Sequence, residues 1–317
     1  MRFKQKIVNL SQIDFSNDAY RITTEKQVDD LMRSITHIGI LHLPLLLNNE
    51  STYTIISGFR RIEACRRLNW SKLEAMVLDP DTIRLKCVKY AITDNAFQRS
   101  LNLIEKSKCI EMLSDFFRDI NRLSSELSAL GLSEHPSMIK KLKGICHLPE
   151  PFQNSILSNT ISLPMVLELA GIAEDDAQAL IVLFNTLKLG LNTQREIVIL
   201  VKEIAIREDK SILQVIEELD INKTLTNEDL DKNQKVHKIR ICLKQRRFPT
   251  IAIIEKSYEK YHQKLNLDKR FKLIQPTNFE SPTYTLQLSF NNTTQLKGLK
   301  TAFDALVKNP YLKNIVD

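Results

Sequence analysis

The stretch from Tyr53 to Trp70 constrains this chain most, because its hydrophobic period changes partway along. Tyr53 to Ile56 reads as the end of an apolar strand. Ser57-Gly58 follows, a residue suited to capping a helix and then one that lets backbone come close to a ligand. Ile62, Cys65 and Leu68 then recur at helical spacing and predict a buried stripe. Charge is the anomaly. Arg60 and Arg61 fall in the first turn, where the helix dipole is positive and free N–H groups point outward. Cations there are unfavourable by a few tenths to ~1 kcal/mol, and Glu63 offsets only part of that. A bound anion would reverse the sign, because N–H groups, dipole and two guanidinium forks would all favour it. The turn therefore reads as a phosphate site. A surface turn with solvated arginines is the other reading, and the local pattern leaves both open.

At 317 residues the expectation is two or three domains. A hydrophobic share of 43% and a charged share of 26% fit a soluble globular chain. No apolar run approaches the ~20 residues that span a bilayer, so no membrane association is expected. Met1 to Leu10 is charged and lacks a signal-peptide core. Five widely spaced cysteines with no Cys-x-x-Cys pair point to reduced thiols in a cytoplasmic protein. The six histidines form no zinc-type spacing. Net charge is +7, and the seven cations of 232–247 are not interrupted by an acidic residue. The excess is thus a local stripe, which points to a polyanionic partner.

Along the chain, Lys6 to Leu10 reads as a strand, and Thr24 to Ile38 as a helix stopped by Gly39. Leu41 to Leu47 and Tyr53 to Ile56 read as a hairpin, Leu73 to Leu78 as a strand, and Arg84 to Asn95 as a helix. This alternation predicts a small α/β domain. From Leu101 to about Asp220 helical periodicity dominates, with helices expected near 104–117, 123–130, 137–145, 151–157, 164–170, 174–187, 193–206 and 211–218. Within it, Ser124 to Pro149 has the cadence of a helix-turn-helix, with Ser137, Lys140 and Lys141 on the exposed side. A plain helical hairpin has the same pattern. Asn222 to Gln234 is apolar-poor and reads as a linker. Ile239, Ile241 and Leu243 alternate with Lys238, Arg240 and Lys244, which reads as a half-buried strand. A helix over 249–265, strands at 271–274 and 284–290, and a helix over 294–307 complete a β-α-β-β-α pattern.

Three stretches together resemble the ParB family of chromosome and plasmid partition proteins. The first is Gly58-Phe59-Arg60-Arg61 with Ala64 and Leu68-Asn69. The second is Asp94-Asn95-Ala96-Phe97-Gln98-Arg99 running to Leu101 and Glu105. The third is the helix-turn-helix, closed by Leu148-Pro149-Glu150. Departures are present. Phe97-Gln98 replaces the family's Gln-Arg, with Arg99 one place late, and Asp94 replaces its Glu. The glycine of the DNA-binding turn is expected at Ser133, with Gly131 two residues before it.

The resemblance implies a multidomain α and α+β chain. Its parts are a ParB/sulfiredoxin-like α/β nucleotide-binding domain over 1–98, a helical DNA-binding domain over 99–220 with its helix-turn-helix near 124–147, a linker over 221–234, and an α+β domain over 235–317 for dimerisation or DNA contact. It implies CTP and magnesium near Ser57, Gly58, Arg60, Arg61, Asp94 and Asn95, with Asp94 as metal ligand. DNA, a homodimer and a ParA-type ATPase are the implied partners, and the implied location is on a nucleoid or plasmid. Sulfiredoxin chemistry needs a cysteine inside the turn. Phe59 stands there, and Cys65 lies on the apolar stripe.

Three functions follow for comparison: a CTP-responsive partition protein, at most a weak CTPase; a ParB-fold transcriptional regulator that lost nucleotide switching, as Phe97 and Gln98 would allow; and a ParB-like nuclease using Asp94. The stripe Lys238, Arg240, Lys244, Arg246 and Arg247 reads as a phosphate-binding strand or as the solvated face of an edge strand. Glu105 reads as a helix-opening residue favouring the dipole.

Overall fold

The computed structural model describes residues 3–276, 279 and 281–316. They pack as two compact units, Met1–Ile172 and Ala173–Asp317. The division falls inside the stretch expected to form one helical domain.

The first unit opens with a five-stranded sheet. Its strands are β1 (Lys4–Asn9), β2 (Ile13–Asp14), β3 (Leu45–Asn49), β4 (Thr52–Ser57) and β5 (Lys72–Leu78), in the order β1-β5-β3-β4-β2. β1 runs antiparallel to β5 with Lys4 opposite Val77, and β3 runs parallel to β5 with Leu46 opposite Val77. β3 and β4 form the antiparallel hairpin, with Leu46 opposite Ile55. The two-residue β2 pairs parallel to β4; two residues carry no period, so the sequence shows no strand there. Against the sheet lie α1 (Asp29–Ile38) and α2 (Phe59–Arg67). Ile35 from α1 and Ile62, Ala64 and Cys65 from α2 join Leu46, Ile55, Leu73 and Val77 in one buried cluster. Gly39 ends α1 at φ 78. The expected strands and helices of 1–98 are thus present, with α1 starting five residues late and α3 (Arg84–Ala96) one residue longer.

Helices α4 (Leu103–Ser114), α5 (Ile120–Ala129), α6 (Pro136–Leu142), α7 (Glu150–Leu157) and α8 (Leu163–Leu169) complete the first unit. Leu123, Leu127, Leu132, Ile139, Leu142 and Ile145 are buried, so α5 and α6 turn their apolar stripes inward. The residue in the left-handed region of their connection is Gly131, at φ 91. Ser133 is exposed, and its hydroxyl meets that of Ser128. The turn glycine is therefore Gly131, which corrects the expectation of Ser133. A Cβ there would come 3.0 Å from the Phe97 ring.

The second unit holds α9 (Glu174–Leu187), α10 (Leu191–Glu208), α11 (Ile212–Glu218), α12 (Ile221–Thr226), α13 (Lys232–Arg247), α14 (Pro249–Leu265), the antiparallel pair β6 (Phe271–Ile274) and β7 (Thr285–Leu288), α15 (Thr293–Val307) and α16 (Pro310–Val316). Two expectations change. The stretch expected as a linker contains α12, with Ile221 and Thr224 buried. The stripe expected as a strand is the helix α13, opened by an Asp231/Gln234 capping box. Ile239 and Leu243, four residues apart, are buried, while Ile241 is 37% exposed. A strand would have put all three on one face.

Candidate functional site

Gly58 sits at the N-cap of α2 with φ 89, a left-handed conformation open to glycine. A Cβ there would lie 2.7 Å from Pro44 Cβ and 2.9 Å from Pro44 Cα. The strand therefore enters the helix through a turn in which backbone passes against backbone. Ser57 does not cap the helix. It is buried, and its hydroxyl donates to the Asp94 carboxylate.

Glu63 does not balance the first-turn arginines either. It accepts from Arg66 Nε at 2.8 Å and Arg67 Nε at 2.9 Å. Arg60 and Arg61 are left to face inward past the start of α2. Arg60 Nη2 donates to the Gln27 carbonyl at 2.9 Å, and its Nε is buried without a hydrogen-bond partner. Arg61 is 16% exposed. Its Nη1 donates to the His42 and Leu43 carbonyls, and its Nη2 lies 3.3 Å from Asp94 Oδ2. Burial pulls the Arg61 guanidinium below its ordinary pKa, and the Asp94 carboxylate works against that fall.

These groups border a cavity of about 360 Å³, within the range of small-ligand clefts. Gly58, Arg60, Arg61, Asp94, Asn95, Gln98 and Arg99 supply its polar wall, and Ile22, Leu31, Ile35, Ile40 and Leu41 its apolar wall. Five of the six expected residues, Gly58, Arg60, Arg61, Asp94 and Asn95, thus converge here from the start of α2 and from α3. Ser57 reaches the site through Asp94. The Asn95 side chain donates back to the Ala91 carbonyl at 2.8 Å. Asp94 is the one carboxylate among the described residues that line the cavity, and no group of three or more metal-ligating side chains occurs among the described residues. One carboxylate suits magnesium shared with ligand phosphates and does not suit an all-protein cage.

A support missed at the sequence level lies behind this wall. Glu105 is 1% exposed. It closes a capping box with Asn102 at the start of α4, takes both Arg99 Nη groups at 2.7 Å, and accepts from the Thr24 backbone N–H at 3.0 Å. Burial pushes its carboxyl up, but the Arg99, Thr24 and Asn102 hydrogen bonds outweigh burial and bring it below the ordinary value. Arg99, one place late against the family motif, therefore spans the gap between α3 and α4. The dipole reading of Glu105 was half of its role; the Thr24 partner lies 81 residues away and leaves no local trace. Cys65 is buried at 0% exposure, and its thiol is pushed up to about 11 by burial, so no thiolate is offered to the cavity.

The candidate DNA face is simpler. Ser137, Lys140 and Lys141 are all exposed on α6. His135 caps the helix by accepting from the Ser137 N–H, and Lys140 and Lys141 make no ion pair among the described residues. The stripe on α13 behaves differently. Arg240 and Lys244 share Glu196, Arg246 meets Glu208 and Glu218, and Arg247 meets Glu203. The Arg246 hydrogen bonds draw the Glu208 carboxyl down to about 2. Of the five expected DNA contacts on α13, Lys238 is the one without an ion pair among the described residues.

Residues 4–96 match the family model described as the ParB N-terminal domain. A nucleoid occlusion protein of Oceanobacillus iheyensis is 27% identical over 177 residues, covering 55% of this chain and 59% of that protein. One from Bacillus cytotoxicus is 24% identical over 215 residues, covering 67% of each. The chain thus spans about half to two thirds of the curated relatives it matches. Among solved structures, a C-terminally truncated ParB of Caulobacter crescentus in complex with the centromeric parS site aligns at 15% identity and TM-score 0.35, covering 60% of this chain and 96% of that one. No helix among the described residues is long and apolar enough to cross a membrane.

Proposed function

We propose that this chain, which carries a ParB N-terminal domain over residues 4–96, is a ParB-type DNA-binding protein of the partition or nucleoid-occlusion kind that takes CTP in its first-unit cavity. The observation that carries the nucleotide reading is Arg60 Nε, a buried donor with no partner, beside Arg61 and the free N–H groups at the start of α2. A buried guanidinium donor left without an acceptor is costly, and a phosphate oxygen is the acceptor that dipole and charge together favour. Arg60 and Arg61 would hold the triphosphate. Asp94 would hold magnesium and Asn95 would stand beside it. The ion would offset the negative charge that the carboxylate and the phosphates bring together. Ser57 and Gln98, both bonded to Asp94, would orient that carboxylate.

DNA binding rests on α5 and α6, with Ser137, Lys140 and Lys141 facing solvent. The relatives named nucleoid occlusion proteins support a chromosome-associated role. Plasmid partition, a ParA-type ATPase partner and a homodimer belong to the same reading. A ParB-fold regulator indifferent to nucleotide is the second reading, and Phe97 favours it: its side chain is 70% exposed and leans on the Gly131 turn, away from the polar wall of the cavity. Nuclease chemistry would rest on Asp94 alone.

Equilibrium dialysis with labelled CTP tests the nucleotide part. The expected result is saturable binding in the parent and loss in Arg60→Ala. Parent counts at background would remove the nucleotide reading and leave the regulator. Mapping of bound DNA in the native host would separate partition from regulation by the genomic position of the sites.

A further inference from the structure

Asp94 occupies an unusual place for a residue meant to assist phosphate binding. Its Oδ2 takes the Ser57 hydroxyl and lies 3.3 Å from Arg61 Nη2, and its Oδ1 takes Gln98 Nε2 at 2.8 Å. A hydroxyl, a guanidinium and an amide thus converge on one carboxylate at the mouth of α2. Hydroxyl, guanidinium and amide donors are the set that would bind a phosphate, so Asp94 copies the anion. We infer that Asp94 is a built-in competitor for the phosphate seat, displaced or converted into a partner only when a divalent cation binds it. The inference rests on the nucleotide reading above.

The physics is a matter of sign. Arg61 is mostly buried and donates to the His42 and Leu43 carbonyls as well, so its position is set before any ligand arrives. A phosphate brought to Arg61 without a metal meets a carboxylate within a few ångströms. A like charge this close disfavours a second anion, and repulsion worth one pK unit is about tenfold in affinity. A divalent cation on the carboxylate changes repulsion into attraction, and the phosphate is then held from both sides. Arg60 has no such internal counter-anion. Its Nε is buried and lacks a hydrogen-bond partner, so it gains from a phosphate oxygen with or without a metal. The two arginines therefore divide the work: Arg60 attracts any phosphate, and Arg61 with Asp94 admits only one accompanied by a metal.

The experiment is calorimetric titration of the full chain with pyrophosphate and with CTP, each with magnesium and with chelator. For the parent, binding is expected to be weak in chelator and strong in magnesium. For Asp94→Asn, which keeps the shape and removes the charge, metal-free binding of both ligands is expected to be at least about tenfold tighter than the parent's, with little further gain from magnesium. Asp94→Glu, which keeps the charge, is expected to follow the parent and controls for a general loosening of the site. Metal-free binding by Asp94→Asn that is no tighter than the parent's overturns the competitor while parent CTP binding leaves the nucleotide reading standing. If none of the three proteins binds CTP or pyrophosphate in either condition, both fall.

Discussion

Gly58 and Glu105 show how single residues hold this site in place. Gly58 combines a φ of 89 with the close approach of Pro44. Left-handed backbone costs a residue with a Cβ roughly 1–2 kcal/mol, and the Pro44 contact adds a clash against backbone that cannot swing away. Gly58→Ala is expected to destabilise the first unit by about 2 kcal/mol or more, read from the urea midpoint, and to weaken CTP binding. Glu105→Ala leaves Arg99 and two backbone donors without their acceptor. Because Arg99 is 39% exposed and keeps some water, the expected loss is about 2–3 kcal/mol, below that of a fully buried pair. The pH dependence has a defined sign. The folded carboxyl lies below its ordinary value of 4.5, so its contribution is fully present above 4.5 and fades as pH falls through the lower folded value. The stability gap between parent and Glu105→Ala should therefore be full at neutral pH and shrink on the acid side of 4.5. A gap that does not change with pH would deny the carboxylate this role.

Among the elements, α13 teaches most. Its residues alternate apolar and basic over Lys238 to Lys244, which is the pattern of a half-buried strand. The same residues also place Ile239 and Leu243 four apart, and the capping box at Asp231 favours a helix. Tertiary partners decide between the two, because Ile239 and Leu243 are buried together while Glu196, Glu203 and Glu208 of α10 and Glu218 of α11 meet the cations. Leu243→Ala is expected to cost about 2–5 kcal/mol, whereas Ile241→Ala should stay within about 1 kcal/mol because its side chain is already partly in water. Equal losses at both positions, measured by chemical denaturation, would restore the strand. In α6, by contrast, sequence and structure agree on burial: Ile139 and Leu142 turn inward, and Lys140 and Lys141 do not.

For the whole molecule, net charge and charge placement must be kept apart. The excess of +7 equals the count of cations in the stripe, yet within the second unit the stripe's arginines meet carboxylates. Free positive charge for a polyanion is then better sought on α6. Binding of DNA should show a slope of log K on log salt that falls by about 1 for each of Lys140→Ala and Lys141→Ala. Arg246→Ala should leave that slope unchanged and lower thermal stability, since its guanidinium is held by Glu208 and Glu218. A slope that answers to Arg246 and ignores Lys140 would move the DNA face to the second unit.

Periodicity, turn chemistry and capping were legible in the residues themselves. They determined the strand–turn–helix at 52–67, the inward stripe of α2, the stop at Gly39, the run of helices after Leu101, and the exposure of Ser137, Lys140 and Lys141. All of these follow from neighbours within one or two turns, where side-chain direction follows from backbone geometry. Only the tertiary structure decided which charges meet. Asp94 reaches Arg61 across 33 positions, Arg247 reaches Glu203 across 44, and Glu105 reaches Thr24 across 81. An ion pair between distant residues depends on where the chain returns, and the return path is set by packing of the apolar cores. That dependence is why, of the two arginines whose pattern asks for an anion, Arg61 meets a carboxylate from its own chain and Arg60 does not.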